Sequence, residues 1–372
     1  MKISKYAESI DKYAFAKLNS LPAISIPNNV KTIGASAFYD CDSATSLHIP
    51  DSVKTIGSYA FSDCSRIAEL TIPDSVTIIG AYAFSGCSSV EKLSIGSGVK
   101  AIAKYTFQNC TGLTSIAVPD TVETIASFAF YGCNNVEDIT LPFVGESRTA
   151  TDYKATFGYV FGYTTYDAAK KNYNDTTANY SYSVYSSDTG KEICSTSYFS
   201  YQKRYQSSSS TTFQNCYVNT NSKPWYTCYD YYNDSYKHYS GTCGPYNLQT
   251  YSYYVPNGLT SVTITDASTI GTAAFNNCTN ITKITLNDGI TSVGDYAFQN
   301  NTWYNNLTDE FVTVGDNVLI KYNGTKSSVT IPDTVKHIGG GVFKNNSKIS
   351  EVILPNELLR IGDNAFKGTA LS

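Results

Sequence analysis

Ten cysteines, three histidines and four aspartates that follow proline are the side chains of this sequence that could hold a metal, attack a substrate or move a proton. Cys41, Cys64, Cys87, Cys110, Cys133 and Cys278 each fall three residues after a phenylalanine, while Cys194, Cys216, Cys228 and Cys243 stand at gaps of 22, 12 and 15. A zinc site needs thiolates or imidazoles in close pairs, and no Cys-x-x-Cys occurs anywhere in the chain. The periodic thiols read as small apolar fillers, since the same slot holds Leu18, Asn301 and Asn346 elsewhere. Stacked about 5 Å apart, they would also lie within disulfide reach. The other four, Cys194, Cys216, Cys228 and Cys243, are the candidate disulfide cysteines, with up to two bridges in three possible connectivities. Their oxidation would require export.

His48, His238 and His337 are scattered, and each reads as a solvated side chain rather than a base or ligand. His238 lies close in sequence to Cys243, but nothing puts that thiol at a helix N-terminus or in an electropositive pocket. Asp51, Asp74, Asp120 and Asp333 read as turn residues that bond nearby backbone amides, with calcium binding along their column a lesser option. The sequence contains no Gly-rich phosphate loop, nucleophile elbow, zinc-protease helix or paired-carboxylate motif. The expectation is therefore no enzyme, no catalytic residue, no metal and no cofactor.

The elements that position these residues are repeats. Phe15, Phe38, Phe61, Phe84, Phe107 and Phe130 form one series, Phe275 and Phe298 a second, and Phe343 and Phe366 a third, each with a step of 23 residues. A strict period of that length marks a stacked solenoid whose coils bury their apolar faces against one another. In one coil, Ile67-x-x-Leu70-x-Ile72 suits a short strand pairing in parallel with its counterpart in the next coil. Pro73-Asp74 turns the chain, Val76 and Ile79 point back inward, Gly80 breaks the extended piece, and Ala83-Phe84 fits one helical or 3₁₀ turn.

This strand pattern with its ten phenylalanine anchors resembles the BspA-like branch of the leucine-rich repeats, over residues 1–142 and 258–372. The resemblance implies a right-handed leucine-rich solenoid. It also implies mostly secreted or surface-attached proteins that adhere to host or partner molecules without catalysis. The expected fold is thus an α/β leucine-rich-repeat solenoid of about ten coils, with a parallel β-sheet and short helical or 3₁₀ turns, interrupted by a Tyr-rich β insertion.

The expected organisation is N-terminal coils over 1–142, an insertion over 143–257 whose excursion is mainly 163–253, and C-terminal coils over 258–372. A hairpin-like insertion at about 302–328 is expected to turn at Asn323-Gly324. The sheet is expected to run on without a break from Leu141 to Val262 and Ile264. No secretion signal is expected at MKISKYAESIDKYAF, and AFKGTALS supplies no final strand or polar cap.

Between Tyr153 and Tyr254 stand 22 of the 32 tyrosines, among Ser, Thr, Asn and Asp. Tyrosine joins a large ring to a hydroxyl and loses little freedom when ordered, which suits recognition. Trp225, Tyr226, Tyr229, Tyr231, Tyr232, Tyr236 and Tyr239 are the candidate binding residues. Alternation such as YSYSVYSS (180–187) equally suits a β appendage packed on the coils, and SSSSTT (207–212) suits disorder, so three readings stand open. With 27 basic against 31 acidic residues and no apolar run of 18, neither nucleic acid nor a membrane span is expected. The expected partner is an extracellular protein or glycan met by a monomer, and the alternative is a scaffold or spacer module with no ligand of its own.

Overall fold

A computed structural model describes residues 3–150, 152–167 and 249–371, together with the strands Tyr180–Val184, Tyr198–Tyr201, Phe213–Asn219, Trp225–Asp230 and Ser235–Ser240. Side chains of residues 151–153 and 164–252 lie outside the described set.

The chain winds into a parallel-strand solenoid of about eleven turns with little helix. Each turn carries two short strands. The longer set includes Ala23–Ser25, Ser46–His48, Glu69–Ile72, Lys92–Ile95, Ser115–Ala117 and Asp138–Leu141, and each paired strand meets the residue 23 positions on, as in Leu70↔Leu93 and Ile116↔Ile139. Alternation places Leu70 and Ile72 in the core and Thr71 outside, the pattern of a strand buried on one face. A second set of two-residue return strands, such as Thr32–Ile33 and Thr55–Ile56, pairs in parallel on the opposite side.

The phenylalanines form a spine through the middle. Phe38, Phe61, Phe84, Phe107 and Phe130 are fully buried and stack coil on coil, as in Phe38–Phe61 at 5.4 Å between ring centroids and 3° between planes. The turn that carries each ring is tighter than a helix. Ala83 N–H donates to Gly80 O and Cys87 N–H to Phe84 O, and the third residues of these two turns, Tyr82 and Gly86, have φ of +61° and +75°. A hydrogen-bonded turn with its third residue left-handed is the type II arrangement. Gly80 does more than break a strand: a Cβ there would sit 2.3 Å from Ser58 N, so successive coils approach too closely here for any side chain.

The sheet is continuous across the long excursion. Asp138–Leu141 pairs in parallel with Ser261–Ile264, in register Ile139↔Val262. Residues just after the departing strand fill a rung of their own: Phe143, Val144, Phe157, Val160 and Phe161 are buried, and Phe157 stacks on Phe275 at 5.0 Å. Arg148 ties this rung in place by donating to the carbonyls of Asp120 and Val122 and pairing with Asp266 at 2.6 Å. The excursion is rooted by Tyr163–Asp167, antiparallel to Gln249–Tyr254, which also pairs with Tyr180–Val184. The four remaining strands form a second antiparallel sheet.

The smaller insertion is a hairpin, Phe311–Val314 with Val318–Tyr322. Its turn is Gly315-Asp316-Asn317, with φ of +54° at Gly315 and +53° at Asn317, and not the expected Asn323-Gly324. Asn323 instead closes the open end, its N–H donating to Glu310 O and its side-chain amide to the carbonyls of Leu307 and Asp309. Val318 and Leu319 pair with His337 and Ile338 and so stand in for one return strand. This pairing also corrects the reading of His337, whose ring is buried with neither nitrogen hydrogen-bonded.

Candidate binding face

In four successive coils the chain places an aromatic side chain outward on a left-handed backbone, two residues before the spine phenylalanine. At Tyr59, Tyr82, Tyr105 and Phe128 the values of φ are +57°, +61°, +61° and +64°. A bulky residue pays for that conformation. The return is a second aromatic row along the outside of the solenoid, with Tyr59–Tyr82 and Tyr82–Tyr105 at 4.6 Å and Tyr105–Phe128 at 5.1 Å. Lys104 Nζ lies over both the Tyr105 and Phe128 rings, at 5.1 and 5.0 Å.

At Phe128 the row enters the root of the excursion. Phe128 meets Tyr163 at 5.2 Å and Tyr131 at 5.8 Å, and Tyr131 meets Tyr254 edge-to-face at 5.4 Å and 79°. Tyr159 hydrogen-bonds Glu146 at 2.9 Å, and burial, then that bond, pushes its phenol well above the usual range. Burial also raises the Tyr82 phenol, with the neighbouring phenols of Tyr105 and Tyr59 adding to it.

Stacking decides what this face can offer. Rings piled along the solenoid axis cover one another's faces and turn edges and phenol oxygens to solvent. A ring face comes free where the pile begins. One end is Tyr59, preceded in the column by Ser36 and 40% exposed. Past Phe128 the ring contacts run through Tyr131 to Tyr254, beside a cleft of about 420 Å³. Phe130, Cys133 and Phe161 form its buried apolar part, and the exposed Asn109, Asn134 and Asn257 stand at its rim. No charged side chain among the described residues lines it.

A second cavity of about 210 Å³ lies between the coil of Phe298 and the smaller hairpin. Its polar groups are occupied with one another. Lys344 pairs with Asp295 at 2.7 Å, packs over the Tyr296 ring at 4.0 Å, and Asn364 donates to the same carboxylate at 3.0 Å. This is the arrangement of a structural ion pair.

The cysteine column is equally satisfied. Cys41, Cys64, Cys87, Cys110 and Cys133 are free thiols, each donating to the carbonyl of a phenylalanine in the preceding coil at 3.2–3.3 Å. Burial pushes Cys87 and Cys133 up to about 12. Asp74 accepts from the N–H and hydroxyl of Ser97 at 2.7 and 3.0 Å, so the Pro-Asp turn bonds a backbone amide one coil away. Its carboxyl is held below the usual range mainly by that N–H. Among the described residues no group of three or more His, Cys, Asp or Glu could hold a metal ion.

For the candidates within the insertion, the backbone alone is described. It sets Trp225 opposite Ser240, Tyr226 opposite Tyr239, Tyr229 opposite Tyr236, and Cys216 opposite Cys228 on paired antiparallel strands. Tyr231, Tyr232, Cys194 and Cys243 lie outside the described residues. The outer aromatic row was missed from sequence, although its signal was present: Tyr59, Tyr82, Tyr105 and Phe128 are spaced by 23, each two residues before a spine ring.

The BspA type leucine rich repeat region matches in six copies, over residues 1–113, 55–152 and 247–372. Among solved structures, the chain is similar to the leucine rich repeat protein of T. pallidum at 31% identity, over 35% of this chain and 61% of that one, with a TM-score of 0.34. A leucine-rich repeat protein from Bacteroides ovatus ATCC 8483 is 21% identical over 97% of this chain and 79% of that one, with a TM-score of 0.33. A leucine rich cell surface protein from Faecalibacterium prausnitzii A2-165 is 23% identical over 43% and 51%, with a TM-score of 0.30. The aligned part thus spans about 61% of the length of the T. pallidum protein. No curated protein matches the chain. Matched by the repeat model over well more than half its length, the chain belongs to the BspA type leucine rich repeat family.

Proposed function

We propose that the protein is a non-catalytic binding module, displayed on a cell surface or secreted, that adheres to a protein or glycan on a host or partner surface. One observation carries this reading. A row of partly exposed aromatic rings runs along the outside of four coils and passes directly into the root of a tyrosine-rich insertion. Aromatic residues that join apolar area to a hydroxyl dominate recognition surfaces, and a rigid solenoid presents them without an ordering cost. No helix among the described residues is long and apolar enough to cross a membrane, and the family supports a protein-interaction module. Trp225, Tyr226, Tyr229, Tyr231, Tyr232, Tyr236 and Tyr239 extend the proposed surface into the insertion, with Cys194, Cys216, Cys228 and Cys243 as candidate ties within it.

The face-to-face stacking favours a second reading. Rings that cover one another also staple the coils, as a scaffold with no ligand would need. A screen of the intact protein against immobilised matrix glycoproteins, mucins and a glycan array separates the two. It is run beside a variant with 163–253 replaced by a short Gly/Ser linker and a variant carrying Tyr59→Ala and Tyr105→Ala. Capture of the intact protein that either variant loses supports the binding face. Absence of capture by all three, each folded, leaves the scaffold.

A further inference from the structure

The outer aromatic column has one gap. Its residue in successive coils is Tyr13, Ser36, Tyr59, Tyr82 and Tyr105, and all five are left-handed, with φ of +59°, +54° and +57° at the first three. Serine thus stands where a ring would otherwise stack, with a tyrosine one coil away on either side. Those two rings are 57% and 40% exposed, whereas Tyr82 and Tyr105, enclosed in the pile, are half-buried. Among the described residues no ring packs on Tyr13, and Tyr59 has a ring, Tyr82, on one face only. One step of this row is 4.6 Å, so a ring seated midway between Tyr13 and Tyr59 would lie one step from each. That spacing is inside the range of about 4.5–7 Å between the centroids of packed aromatic rings.

Two polar groups limit what such a ring can be. Ser36 donates its N–H to Ser58 O and accepts at its carbonyl from Tyr39 N–H, but its hydroxyl has no partner among the described residues, and the residue is only 7% exposed. A hydroxyl so enclosed calls for a hydrogen bond. At the rim, Lys12 Nζ lies 5.0 Å from the Tyr13 ring centroid and, among the described residues, forms no ion pair. Lys12 holds the place in its coil that Lys104 holds beside Tyr105 and Phe128, where one ammonium lies over two adjacent rings. We infer that the slot between Tyr13 and Tyr59 takes the phenol side chain of a tyrosine from a partner protein. The inference rests on the binding-face reading above and chooses protein over glycan at this end of the face. The phenol enters tip first: its ring stacks between the two tyrosines beside the Lys12 ammonium, and its hydroxyl meets Ser36 Oγ. Phenylalanine would leave that hydroxyl unmet, and a leucine side chain has no ring to stack. A pyranose chair, puckered and rimmed with hydroxyls, is a poor match for a slot with a flat ring on both sides.

The test uses the full chain labelled with ring-¹³C tyrosine, the signals of Tyr13 and Tyr59 being assigned from Tyr13→Phe and Tyr59→Phe. N-acetyltyrosinamide is titrated beside N-acetylphenylalaninamide, N-acetylleucinamide and methyl glucoside. The expected result is a saturable upfield shift of both signals with N-acetyltyrosinamide, at least threefold weaker binding of N-acetylphenylalaninamide, and no saturable shift with the other two. Ser36→Ala is expected to bring the tyrosine and phenylalanine compounds within about twofold of each other. Ser36→Tyr supplies the missing ring from the chain itself. It is expected to melt no lower than the parent, to move the Tyr59 signal upfield without any probe, and to weaken the response to N-acetyltyrosinamide by at least tenfold. No saturable shift at Tyr13 and Tyr59, an equal response in a folded Ser36→Tyr protein, phenylalanine binding as tight as tyrosine, or tighter binding of methyl glucoside overturns the assignment. If the slot stays silent while the surface screen still captures the intact protein and not the variant carrying Tyr59→Ala and Tyr105→Ala, the binding face stands and the tyrosine fails. If capture also fails, the face itself is wrong.

Discussion

Replacing Tyr82 by glycine and, separately, by alanine tests the outer aromatic row and its backbone together. Tyr82 sits at φ +61° between Tyr59 and Tyr105, with both ring contacts at 4.6 Å. Removing the ring forfeits two aromatic contacts at about 0.5–1.5 kcal/mol each, so Tyr82→Ala is expected to destabilise by about 1–3 kcal/mol. Tyr82→Gly loses the same contacts. It also relieves the left-handed strain, about 1–2 kcal/mol for a residue with a Cβ, while losing part of that gain to the freer unfolded chain. Glycine is therefore expected to be more stable than alanine by about 1 kcal/mol, the reverse of the order in a strand or helix interior. Guanidinium unfolding gives the order, and hydrogen exchange of a peptide spanning 78–87 localises it, because long repeat arrays need not unfold as one unit. If alanine proves as stable as glycine, Tyr82 is not held left-handed, and the account of the turn as two type II bends is wrong.

Cys87 should resist an aromatic disulfide reagent at neutral pH until the protein unfolds, because burial that pushes its thiol up to about 12 leaves almost no thiolate; rapid native labelling would contradict the column geometry. Cys87→Ser should cost about 1–2 kcal/mol in a denaturant melt, since a hydroxyl can still donate to Phe61 O but gives up apolar packing. Arg148→Ala should lower the unfolding free energy from a denaturant melt by about 1–2 kcal/mol, after discounting for the partial exposure of its Asp266 pair, with exchange rising first over residues 143–161 and 261–270. Asp74 and Asp316 have carboxyls held below the usual range, by Ser97 N–H and by Lys336 respectively. Their contribution is present above the ordinary carboxylate pKa and is lost as pH falls through the depressed values, so acid melts of Asp74→Ala should show a shallower fall below about pH 4 than the parent.

The repeat itself was open to reading because every rung solves the same problem with the same residues. Phe61, Leu70, Ile72 and Val76 are apolar at fixed offsets and lie in the core. Strand positions, the spine and sheet continuity across the excursion all follow from that spacing. What escaped was set by contacts between segments that share no period. Gly315-Asp316-Asn317 and Asn323-Gly324 both offer turn chemistry, and only the pairing of Phe311 with Tyr322 selects the first. His337 looks like any lone histidine until Val318, from the inserted hairpin, takes its place beside it. The outer tyrosines carry the period, but their ring-on-ring contact depends on a positive φ that tyrosine rarely adopts, so composition alone argued against it.

The parallel pairing of Ile139 with Val262 has a consequence for how much the fold constrains the segment between them. Closing a loop of about a hundred residues costs entropy that grows only with the logarithm of its length, about 0.6 kcal/mol for each doubling. The two strands bracketing the excursion are held by the rung of residues 143–161, with its Arg148 clasp, and not by the excursion's own length. The solenoid thus acts as a socket: the inserted segment can be shortened, lengthened or exchanged at little thermodynamic cost to the coils. A lineage carrying this scaffold is free to diversify the inserted segment while the frame stays put, and an engineer could graft a foreign domain at the same two ends.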